Sequence, residues 1–163
     1  MSDEATVLVG LLDGQRSHVL GILEGLSNDD LRRSVLPSGW NCLAMLKHLS
    51  VDEHYWFRCI VDGEPLSYFA EHGLEGTGEW IVSVDETPES LFDRYREEIT
   101  ASNAIMARTS LDAPPGRRDE WWGEWKIPDV RTIVLHMIEE TSCHAGHLDV
   151  VRELLDGRQW VVR

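Results

Sequence analysis

Glu140 and His144 lie four residues apart, and on an α-helix that spacing puts both side chains on one face, one turn apart. Ile133, Met137, Leu148, Val151 and Leu155 continue the same three- and four-residue spacing on either side, so the pair interrupts an apolar stripe that should face a core. A buried carboxylate is expensive unless it is paired or binds a cation. Carboxylate oxygen and imidazole nitrogen are both good ligands for zinc-like divalent ions. Two ligands on one helix do not close a metal site. A third is offered by His48, beside the stripe of an earlier helical segment and between Met45 and Asp52. Three protein ligands with an open position make the donor set of a catalytic metal centre, and helix bundles build such centres from facing helices. The same residues can also form a buried, hydrogen-bonded His–Glu pair with no metal, and spacing alone leaves both readings open.

Other residues gather around these three. Asp52, one turn after His48, could orient a ligand, bind substrate, or make a capping or cross-helix pair. His136 and His147 could hydrogen-bond a ligand from behind or lie at the bundle edge. Cys143 is adjacent to His144 but turned about 100° around the helix and reads as packing; a nucleophilic cysteine wants a base and electropositive surroundings. Trp121, Trp122 and Trp125, just before the last helix, could wall a hydrophobic pocket or plug the bundle end. Trp80 and Tyr68 have the same two readings. Arg117 and Arg118 could receive the carboxylate of an acidic thiol or form a surface pair. His18 and His54 read as ordinary.

Four long helices must carry this constellation. The first spans about 3–26, with Val7, Leu11, His18, Ile22 and Leu26 on its apolar side. Ser27 caps a short turn through Arg33. The second spans about 40–61, after the Pro37-Ser38-Gly39 breaker, with Met45, Leu49, Asp52, Trp56 and Ile60 in its stripe. The third opens at Thr87 as N-cap with Pro88 in the first helical position, and Leu91, Tyr95, Ile99, Ile105 and Met106 form its apolar side. The fourth spans about 130–156 and stops at Gly157. Residues 80–84 are the one short β-like run. The expected fold is all-α, a four-helix bundle in a single domain over 1–163. The 62–86 connection is too long for a tight hairpin and reads as a crossover that lets the second and third helices run parallel.

Composition narrows the function classes. The 163 residues carry 15 Lys and Arg against 29 Asp and Glu, a formal net charge of −14, so nucleic acid and anionic membranes are repelled rather than bound. No apolar run reaches the roughly 18 residues of a membrane helix. The acidic opening Met1-Ser2-Asp3-Glu4 is unlike a signal peptide, and a cytoplasmic protein is expected. Three cysteines with no CxxC pair fit reduced thiols rather than a disulfide scaffold or a zinc ribbon. Seven Trp and seven His are many for this length, and both types serve pockets as well as cores.

Two stretches carry a family resemblance. SGWNCLAMLKHL, ending at His48 and Leu49, followed by EHYWF from Glu53 to Phe57, resembles the helix-two motif of the DinB-like superfamily. LHMIEETSCHAGHLDVVRE, from Leu135 to Glu153, resembles its last-helix motif. The chain is most similar to the actinobacterial branch that includes mycothiol-dependent S-transferases and the N-terminal part of mycothiol-dependent maleylpyruvate isomerase. The resemblance implies a four-helix bundle with a long crossover, often dimeric, holding a divalent metal, commonly zinc. It carries the metal ligands onto His48, onto Glu140, which stands where many members have His, and onto His144. His147 stands where many members have Gln. The chain ends soon after Gly157, so the isomerase's extra C-terminal domain, and with it maleylpyruvate isomerisation, is not expected.

The expected function is therefore divalent-metal-dependent thiol S-transfer. A low-molecular-weight thiol, mycothiol by resemblance, would attack a small electrophile within a homodimeric protein, with zinc as the metal and nickel or manganese as the alternatives. Two other readings compete: a metal-dependent hydrolase, in which a water-derived nucleophile replaces the thiol, and a non-catalytic metal-binding stress protein.

Overall fold

Each long helix starts at a side chain that accepts a hydrogen bond from its first turn. Ser2 Oγ accepts from Ala5 N, Asn41 Oδ1 from Ala44 N, Thr87 Oγ1 from Ser90 N and Asp129 Oδ1 from Thr132 N. In the computed structural model, which describes residues 2–119, 122–123 and 126–160, these caps open α1 (Asp3–Leu23), α3 (Cys42–Glu53), α5 (Pro88–Arg108) and α6 (Val130–Asp156). Two short helices lie between them, α2 (Asn28–Arg32) and α4 (Ser67–Glu71), with a 3₁₀ turn at Gly78–Trp80. No strand occurs among the described residues. The β-like run at 80–84 stays irregular: Ile81 and Val84 face solvent, with no neighbouring strand to pair with.

Directions follow from contacts along the helices. Lys47 pairs with Glu86, His54 with Glu98 and Asp62 with Arg108, so α3 and α5 run parallel. Glu4 pairs with Arg131 and His18 with Asp149, so α1 and α6 run parallel too. The two pairs oppose each other, because Val19, Ile22 and Leu23 pack in one cluster with Leu43 and Leu46, while Ala5, Val9 and Leu12 share the other with Trp56, Phe57 and Ile60. The 62–86 segment is thus the crossover that the parallel second and third long helices require. No described helix is long and apolar enough to cross a membrane.

The buried side of α1 differs from the expected stripe. Ala5, Val9, Leu12, Arg16, Val19, Ile22 and Leu23 face inward, while Val7 and Leu11 are exposed. The helix is apolar on two sides near its start, and the true core face is interrupted by an arginine. Arg16 is 2% exposed and pairs with Glu53, 1% exposed, through contacts of 2.7 Å from Nε and 2.6 Å from Nη2. That bidentate geometry is what makes such burial tolerable.

α3 continues without a break into a π-helix at His54–Val61. At its end Asp62 N donates to the Phe57 carbonyl at 3.0 Å, five residues back. The terminal carbonyls of Ile60 and Val61 accept from Arg117 N and Gly116 N. A Cβ on Gly116 would come within 2.6 Å of the Val61 carbonyl oxygen, so only glycine permits this docking. The docked loop brings Asp119 to the rim of the cavity described next.

Candidate metal centre

His48 Nε2, on α3, stands 3.4 Å from Glu140 Oε1 on α6, and His144 Nε2 stands 2.7 Å from the same oxygen. The helical stripe of α6 places the last two side by side, and the antiparallel packing of α3 on α6 brings His48 to them. One ligand atom from each lies within 4.8 Å of the others. Donors bound at about 2 Å around a tetrahedral ion sit roughly 3–3.5 Å from one another, close to the 3.4 and 2.7 Å seen here, so the three could hold a divalent ion. His48 Nδ1 is buried without a well-aligned hydrogen-bond partner, and the nearest acceptor is Glu79 Oε1 at 3.3 Å. A neutral His48 with its proton on Nδ1, held towards Glu79, presents Nε2 to the other two donors.

A second group that could hold a metal shares His48 and adds Asp52 and Glu79, with Asp52 Oδ2 3.3 Å from His48 Nε2. Asp52 is thus brought to the same cluster as His48. Glu79, on the crossover's 3₁₀ turn, is the residue that sequence reasoning missed. Nothing local separates it from Glu71, Glu75 or Glu86, and only the folding of the crossover brings it to His48. Trp80, beside it, stacks on the His48 ring at 4.3 Å between centroids.

Electrostatics tie the group together. Burial by itself would lower the His48 pKa, but the carboxylates of Glu140, Glu79 and Asp52 overcome it and push it up to about 10. Hydrogen bonds from His144 and His48 hold the Glu140 carboxyl far below the usual carboxylate range. Burial, opposed by His48 but assisted by Glu140 and Glu79, pushes Asp52 up to about 7. In the metal-free protein the positive His48 takes the place of a cation among these carboxylates.

The cluster opens onto a cavity of about 880 Å³, within the rough 300–1,000 Å³ range of small-molecule sites. His136 and Asp52 line it along with His48 and Glu140, and the aromatic wall is Tyr55, Trp56 and Phe69. Burial lowers the His136 pKa, and its ring meets Trp56 edge-on at 4.7 Å. Trp122 stands behind this wall, stacked on Trp56 and donating from Nε1 to Tyr55 Oη at 2.9 Å. Trp121 and Trp125 lie outside the described residues. His147 is exposed and approaches the far nitrogen of His144, Nδ1 to Nδ1 at 3.4 Å; it does not line the cavity.

One reading changes, and two that were left open are decided. Cys143 is exposed rather than packed, because it falls on the outer side of α6. Arg117 and Arg118 donate to the carbonyls of Gly63 and Gly123, and neither borders the cavity. His54 is buried, bonded to Glu98 and stacked on Tyr68, so Tyr68 supports α3 instead of lining the cavity.

Comparison with known proteins places the chain. A family model described as Mycothiol-S-transferase matches residues 7–157. No curated protein matches. A crystal structure described as that of the conserved protein of a locus from Enterococcus faecalis is similar over 97% of this chain and 100% of that one, with a TM-score of 0.74 at 11% identity. At that identity the likeness is one of fold.

Proposed function

The chain belongs to the mycothiol-S-transferase family, and from that premise we propose that it is a divalent-metal-dependent thiol S-transferase acting within a single bundle domain over residues 1–163. His48, Glu140 and His144 would hold the cation, with zinc the first expectation and nickel or manganese the others. The observation that carries the reading is Glu140 Oε1 lying between His48 Nε2 and His144 Nε2 at the mouth of a large cavity.

A bound divalent cation lowers the pKa of a thiol, so that thiolate is available near neutral pH. The chain supplies the rest. His48 and His144 come from facing helices and fix the direction from which sulfur approaches. Trp80 and Glu79 restrain the His48 ring, one by stacking and the other towards Nδ1. Tyr55, Trp56 and Phe69 exclude water from the side where an electrophile would lie. The sulfur comes from the external thiol, mycothiol by family. Its electron pair forms the new bond to the electrophilic atom as that atom's bond to its leaving group breaks, the bonding pair departs with the leaving group, and the thiol proton goes to water.

Large apolar side chains left exposed on α1 and α6, Val7 and Leu11 on one and Val150 and Leu154 on the other, support a homodimer; a monomer in sedimentation at micromolar concentration would count against it. Metal analysis of protein purified without a histidine tag, followed by thiol consumption with a panel of electrophiles, tests the central reading. About one divalent ion per chain and metal-dependent loss of thiol are expected. Metal-loaded protein that consumes no thiol would hand the site to the hydrolase or the non-catalytic reading.

A further inference from the structure

The cavity beside His48 has an unusual charge balance. Asp52, Glu75, Glu79, Asp119 and Glu140 face it, and among the described residues no lysine or arginine does. Even with Asp52, pushed up to about 7, left out of the count, the remaining four carboxylates outnumber the two charges of a divalent cation. The one basic pair near in sequence, Arg117 and Arg118, is turned onto backbone carbonyls. The rest of the lining is largely apolar, from Tyr55, Trp56, Leu66, Phe69 and Leu74, with Tyr55 Oη donating to Asp119 Oδ2 at 3.1 Å.

We infer that this cavity receives an uncharged, aromatic or otherwise apolar electrophile and discriminates against anionic ones. The inference rests on the S-transferase reading and adds the substrate class to it. An anionic group brought between these walls leaves water and meets like charges that solvent screens poorly. A neutral ring has no charge to desolvate, gains by leaving water and stacks on the aromatic wall. With a halide electrophile the sulfur pair forms the carbon–sulfur bond, the carbon–halogen bond breaks with its pair leaving as halide, and the thiol proton passes to water.

Zinc-loaded protein titrated calorimetrically with naphthamide and with naphthoate tests the preference without turnover, since the two probes differ in charge and hardly in shape. The amide is expected to bind at least about tenfold more tightly, with the gap narrowing as salt is raised. Glu75 sits at the exposed rim and outside both metal-binding groups, and Glu75→Lys should cut the ratio by about threefold. Equal binding, tighter binding of the carboxylate (by ligating the zinc, for example), or no binding of the amide overturns the inference. Bromomethyl-naphthamide and bromomethyl-naphthoate, each with thiol, provide the turnover arm. Discrimination in binding without thiol consumption in that arm sinks the S-transferase reading while the cavity's charge preference stands.

Discussion

Trp80 lies nearly flat on His48, with ring centroids 4.3 Å apart and planes 21° from parallel. A residue of the crossover thus restrains the imidazole that α3 presents to α6. Trp80→Ala should loosen the ring and weaken metal binding by about tenfold, the lower end of what losing an outer support costs. Trp80→Phe should retain most of the affinity. Competition against a chelator measures both.

The three ligands should fail together. His48→Ala and His144→Ala are expected to lose bound metal and thiol turnover in parallel, with chelator treatment of the wild type giving the same result and zinc restoring activity. Glu140→Gln keeps the size and removes a charge. It should weaken metal binding and leave a more electron-poor site, so the rate per bound metal should fall rather than rise.

Burial pushes the thiols of Cys42 and Cys59 up to about 12 and about 11, whereas Cys143 is exposed. Alkylation of the native protein near neutral pH should mark Cys143 alone, read by mass spectrometry. Serine at any of the three should leave turnover nearly intact. Loss of activity in Cys143→Ser with normal metal content would mean that the nucleophile belongs to the protein.

In the metal-free protein the raised His48 pKa sets a pH window. Its imidazolium contributes stability that is whole below the ordinary value of 6.5 and is lost as pH rises through about 10. The urea midpoints of metal-free wild type and His48→Gln should therefore converge across that interval. Metal uptake must displace the His48 proton, so affinity should rise with pH over the same range. A pH-independent gap between the two proteins would contradict this account.

Arg16 and Glu53 form the most deeply buried ion pair among the described residues. Glu53→Gln should cost about 2–3 kcal/mol, because it removes the bidentate carboxylate while Arg16 Nη1 keeps its contacts to Asp13 and Asn103. Replacing both with Met and Leu should recover much of that loss. Urea denaturation of the two variants distinguishes a broken pair from a simple packing defect.

Legibility followed the locality of the signals. α6 could be read with its bounds because Asp129, Gly157 and an unbroken apolar spacing are all local. Glu140 and His144 were legible for the same reason, as the two polar breaks in that spacing. α1 was placed correctly but its core face was not. Arg16 looks like a surface residue until Glu53, 37 positions away, is seen opposite it. Glu79 carried no local signal, since its role depends on how the crossover folds back.

Parallel packing of α3 and α5 obliges the chain to return along the bundle before α5 can start. That return supplies Leu66, Phe69, Leu74, Glu75 and Glu79 to the cavity, while α4 and the 3₁₀ turn contribute no buried residue to the core. Mutational tolerance is therefore unevenly distributed. Changes at Leu66 and Glu75 can reshape what the cavity admits without touching the clusters that hold the helices together, whereas Trp80 and Val82 pack against one of them. The connection that topology makes compulsory is also where specificity can drift at little cost to folding.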